Sequence, residues 1–196
     1  MNIYEMKQLE RLIGLSEGLF ILRANGQEAY PILEAQLRDI AEGEALILDF
    51  SGSQLVDVSF TDETIIRLGQ AIANNQFGQR RLLLKGLPPD AIVNITRAID
   101  GQKLKLAFIL LDDSGKWKII GRVEPSLREV LEMLSTRNRL TAPELAQELN
   151  LALNSANNRL KRLNDQGLIQ REYEVSEKGL LYYYYFPVSL NQAEAK

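Results

Sequence analysis

Between Asn154 and Gln166 the chain sets amide and cationic side chains against an apolar repeat. Ala156, Leu160 and Leu163 recur at helical spacing and define a buried side. A step of about 100° per residue places Asn154, Asn158, Lys161 and Arg162 on or near the opposite side, with Asn157 at its margin. Amides can read base edges in a groove, and Lys and Arg can hold phosphates. Three cations, Arg159, Lys161 and Arg162, stand against one acid, Asp165, so the segment is locally basic in a chain of net charge −3. With Ser155 at its start and Lys178 in a later loop, this gives a candidate DNA-contacting set of Asn154, Ser155, Asn157, Asn158, Arg159, Lys161, Arg162 and Lys178. The bland alternative is a solvated face, or a surface for protein contacts.

A second group is acidic. Asp49, Asp57, Asp62 and Glu63 could converge at strand ends, where α/β sheets often place ligands, and four acids could bind a divalent cation. A solvated rim is the favoured reading. Ser59 lies two residues after Asp57, and with Asp62 three residues further on it reads as a helix cap. Asp57 and Ser59 are carried as a candidate regulatory pair. There is no cysteine and no histidine. Disulfides, thiolate nucleophiles, the commonest general base and the commonest metal ligand are therefore excluded. Gly52, Gly86 and Gly101 stand alone, so no glycine-rich phosphate loop occurs. An enzyme is not expected, nor a cofactor or a metal.

These groups need elements to hold them. In the first part of the chain, Ala45–Phe50, Arg81–Lys85 and Leu104–Leu111 are apolar runs of the kind found in strands buried on both faces. Leu19–Leu22 and Lys116–Gly121 add shorter strands, the latter after an Asp112-Asp113-Ser114-Gly115 turn. Helical spacing marks Gly26–Glu42, Thr61–Asn75 and Pro89–Asp100. Alternating strands and helices predict an α/β layer with a partly parallel sheet. Glu124-Pro125 makes a boundary.

Beyond it the pattern is helix, helix, helix, hairpin. Ser126–Ser135 carries Leu127, Val130, Leu131 and Leu134 on one face. Thr141-Ala142-Pro143-Glu144 is a capping box that opens a second helix with Leu145, Ala146 and Leu149 inward. The third helix ends at Gly167, and strands follow at about 168–175 and 180–186. Of Tyr182–Tyr185, alternate rings should point to opposite faces, two on the helices and two outward. The outward pair would suit a dimer surface.

The order of elements over residues 124–188 resembles winged helix-turn-helix regulators. Leu140–Leu149, Ser155–Leu163 and Gly167-Leu168-Ile169 carry the likeness. It implies contact with double-stranded DNA and a homodimer on a two-fold site. The segment Leu48–Glu63 is similar to the central motif of STAS and STAS-like domains, and the likeness extends loosely over residues 12–112. It implies a small sheet with flanking helices and a role in partner binding or sensing. In that family the second Ser of an Asp-Ser-Ser-Gly element is phosphorylated. Ser59 takes that position and Asp57 the Asp, while Val58 replaces the first Ser and Phe60 the Gly.

The expected organisation is a STAS-like α/β domain over residues 1–122, an α+β winged helix over 123–190 and a disordered tail over 191–196. No apolar run is long enough for a membrane span, and the N-terminus lacks the apolar core of a signal peptide, so a cytoplasmic protein is expected. The leading reading is a DNA-binding transcriptional regulator. The alternative is a STAS-type protein-interaction regulator, like an anti-sigma antagonist, that does not bind DNA.

Overall fold

The computed structural model describes residues 2–137, 139–176 and 179–187. Lys178 and the tail 191–196 lie outside the described residues.

The three long apolar runs form the middle of a five-stranded sheet. Its strands are β1 (Asn2–Glu5), β3 (Ala45–Asp49), β5 (Arg81–Lys85), β6 (Ala107–Leu111) and β7 (Trp117–Gly121), hydrogen-bonded in that order. The first four are mutually parallel and β7 is antiparallel to β6. A two-strand parallel pair, β2 (Leu19–Phe20) with β4 (Leu55–Val56), stands beside it.

Each central strand is apolar on both faces because both faces are covered. Leu48, Leu84 and Leu110 stack in register on one face. That face packs against α1 (Met6–Ile13), α2 (Arg23–Asp39), α4 (Arg67–Ala73) and α5 (Pro89–Gly101). Ile47, Leu83, Ile109 and Ile119 stack on the other. That face shares one apolar core with α6 (Pro125–Ser135), α7 (Ala142–Glu148) and α8 (Leu153–Asp165). The C-terminal helices thus take the place that a second layer of crossover helices fills in other buried parallel sheets.

Polar contacts reinforce this junction. Arg81 Nε donates to Ile169 O at 2.7 Å, and Asn164 Nδ2 and the Arg171 N–H donate to Gln79 Oε1 at 2.8 and 2.9 Å. Gly167, at φ +74°, follows the end of α8, and a Cβ there would lie 2.8 Å from Ile72 Cγ2. Glycine is needed both for the left-handed turn and for the approach of α4.

The predicted helix over 61–75 begins earlier and is not uniform. A single turn, α3 (Val58–Thr61), runs into a π-helical turn over Asp62–Ile66 and then into α4. Its cap is Asp57, not Ser59 as the sequence suggested: Asp57 Oδ1 accepts the Phe60 N–H at 2.7 Å. The Phe60 ring belongs to the core, fully buried edge-on to Phe20 at 5.5 Å. The first strand and helix, β1 and α1, were not expected from the sequence. No helix among the described residues is long and apolar enough to cross a membrane.

Candidate nucleic-acid interface

The three C-terminal helices are built around leucines. Leu127, Val130, Leu131 and Leu134 of α6, Leu145 of α7, and Ala156, Leu160 and Leu163 of α8 are all fully buried. The capping box forms as expected. Thr141 Oγ1 accepts the Glu144 N–H at 3.4 Å, and Glu144 Oε2 accepts from Thr141 N–H and Oγ1 at 2.7 Å each. Those bonds hold the Glu144 carboxyl below its ordinary range. Asn150, at φ +49°, turns the chain from α7 into α8, a backbone state that Asn tolerates.

With the core side of α8 fixed, its other side chains have defined places. Asn154, Asn157, Asn158 and Lys161 are exposed at i, i+3, i+4 and i+7, forming one stripe along the outer surface. Among the described residues, none of these four has a side-chain hydrogen bond or ion pair. Ser155 is half-buried at the first turn.

The two arginines sit differently. Arg162 forms a two-pronged pair with Glu124, just before α6, one bond measuring 2.9 Å. That hydrogen bonding raises the Arg162 pKa and lowers that of Glu124. Arg159 is half-buried and reaches Glu129 at 3.3 Å and Ser126 O at 3.5 Å. Both arginines are therefore compensated from the side of α6. Lys161 carries the uncompensated charge of the stripe.

The hairpin runs from β9 (Gln170–Ser176) to β10 (Gly179–Tyr185), and β8 (Leu140–Thr141) pairs with the far side of β10. Alternation of the tyrosines is as expected, but their burial is not two in and two out. Tyr184 is buried. Tyr182 shares its face and is exposed, alongside Tyr173, Val175 and Leu180. Tyr183 and Tyr185 are half-buried on the other face, where Arg139 lies 4.3 Å above the Tyr183 ring.

At the sheet's other functional candidate, the acids are already partnered. Asp49 meets Lys85 at 3.0 Å. Burial raises its carboxyl pKa, but bonds from Ser51 and Lys85 outweigh that and leave it lowered. Asp57 Oδ2 accepts the Leu22 N–H at 3.0 Å while Oδ1 caps α3. Asp62 and Glu63 both pair with Arg23. Among the described residues no cluster of three acids could hold a metal. Ser59 is half-buried in the first turn of α3 with no side-chain partner among the described residues.

Residues 124–170 match a family model described as winged helix-turn-helix DNA-binding. The match spans α6, α7, α8 and the first residue of β9. No curated protein matches the chain. The chain is thus a mixed α/β protein with a winged helix-turn-helix at its C-terminus.

Proposed function

We propose that this protein is a DNA-binding transcriptional regulator, with α8 as the helix that enters the major groove of a duplex. The observation that carries this is the free stripe of Asn154, Asn157, Asn158 and Lys161 on the third helix of a segment that matches a DNA-binding family. Its amides suit adenine and other base edges, and Lys161 suits a phosphate. Ser155, Arg159 and Arg162 flank the stripe, and the contacts of the two arginines form once phosphates compete with Glu129 and Glu124. Lys178, which lies outside the described residues, adds a contact to the DNA backbone. Residues 1–122 act as a STAS-like domain for sensing or assembly, with Asp57 and Ser59 as its regulatory element, and the protein works as a homodimer on a two-fold site.

A second reading is a protein-interaction regulator without DNA. The exposed apolar face of the hairpin favours it, with Tyr173 and Val175 at 64% and 78% exposure. Selection from a pool of random duplexes at low and moderate salt separates the two. The first reading expects an enriched motif whose retention falls steeply with salt and is lost in an Asn158→Ala, Lys161→Ala double variant. No retention at low salt would overturn it.

A further inference from the structure

Arg81 is the largest fully buried side chain among the described residues, at 2% exposure. Its guanidinium donates to Ile169 O at 2.7 Å, Gly78 O at 3.0 Å, Arg80 O at 2.9 Å and Gln79 Oε1 at 2.8 Å. Every partner is a neutral oxygen. Among the described residues no carboxylate is within ion-pairing distance of it. Glu42, a nearby acid, is engaged by Arg80 and the Gln79 N–H. A buried charge ordinarily has a counter-charge, because desolvating it alone is costly. The cost is visible as a pKa pushed down to about 10, chiefly by burial.

Arg81 lines a cavity of about 190 Å³ at the junction of the α/β layer and the winged helix. Its wall carries two guanidinium groups, Arg81 and Arg171. Gln79 Oε1 already accepts three hydrogen bonds, from Arg81, Asn164 and the Arg171 N–H, and Ile169 O accepts two, from Arg81 and Asn164. Carbonyl oxygens offer two lone pairs each, so these two acceptors have none to spare. Asn75 and Arg171 also line the space, and Arg171 lies close enough to lower the Arg81 pKa further. The one acid in the lining is Asp165, which is exposed and has no ion pair among the described residues.

We infer that this cavity is a binding site for a small oxyanion of the phosphate type, held by Arg81 and Arg171. Such an ion brings what the buried Arg81 lacks, a negative charge within hydrogen-bond reach. It would touch β5 and the loop after α4 on one side, and the end of α8 and the start of β9 on the other. Occupancy would therefore tie the position of α8 to the sheet. The site itself does not depend on DNA binding.

The test is thermal unfolding and calorimetric titration of the full chain with inorganic phosphate, with chloride holding ionic strength constant. Wild type is expected to show a saturable rise in Tm. Removing Arg81 risks the fold, so two lining variants carry the test. Arg171→Ala should weaken phosphate binding about tenfold, the worth of one charge-assisted hydrogen bond. Asp165→Asn, which removes the competing charge, should tighten it. No phosphate effect beyond that of chloride would overturn the inference. So would an equal effect in wild type and both variants.

Discussion

The outer surface of α8 shows how a single neighbour decides whether a charge is free to act. Arg162 and Lys161 are adjacent, yet Arg162 is held in a two-pronged pair by Glu124 and Lys161 is not. Exposed ion pairs of this kind contribute little to stability, so Glu124 acts mainly as a competitor for whatever anion approaches. Glu124→Gln should leave folding nearly unchanged. Under the DNA-binding reading it should tighten binding at low salt several-fold and steepen the salt dependence by about one released counterion. Anisotropy titrations of a selected duplex at a series of salt concentrations measure both. An unchanged slope would remove Arg162 from the phosphate contacts.

The helix-turn-helix depends as an element on its capping box. Thr141 and Glu144 satisfy each other's backbone N–H groups at the start of α7, a helix of 7 residues that has few internal bonds of its own. Thr141→Ala should cost about 1 kcal/mol in urea unfolding. The box also has a pH signature. The Glu144 pKa is lowered in the folded state by hydrogen bonds from the Thr141 hydroxyl and N–H. Its contribution is then present above the unfolded-state value and is lost as pH falls through the folded value. Glu144→Gln should be less stable than wild type at neutral pH, and the gap should narrow as pH drops below 4.5, the ordinary value. A gap independent of pH would assign the loss to something other than the carboxylate.

For the whole molecule, the decisive feature is the shared second face of the sheet. Ile47, Leu83 and Ile109 are at most 2% exposed and belong to one core with Leu127, Val130, Leu131 and Leu134. Trp117 and Phe186 add a ring contact across the same junction, with centroids 5.2 Å apart. A chain cut to residues 1–123 would expose that face as a continuous apolar surface. It is expected to bind a hydrophobic dye and to self-associate, and to unfold at least 10 °C below the full chain, in keeping with the several kcal/mol carried by a lost core. Sedimentation and dye fluorescence of the fragment check this. A monomer with native-like cooperative unfolding would show that the layer stands without the winged helix. The same junction holds the Arg81 cavity, so any ligand there acts on the contact that joins the sheet and α8.

Periodicity alone determined the central strands, the helices from Pro89 onward and the capping box, because burial on both faces, helical apolar spacing and cap chemistry are local patterns. It also placed Asn154, Asn158 and Lys161 outward, since Ala156, Leu160 and Leu163 leave no other side for the core. Short elements stayed hidden: Asn2–Glu5 becomes a strand only by pairing with Ala45–Asp49, and the cap at Asp57 is chosen by where the Phe60 N–H points. The fates of Arg159 and Arg162 were equally out of reach, for Glu129 and Glu124 lie 30 and 38 positions away. In the sequence, the buried Arg81 is legible only as the first residue of the apolar run Arg81–Lys85. Its partners come from residues up to 88 positions distant, and only the packing of α8 and β9 onto the sheet brings them together.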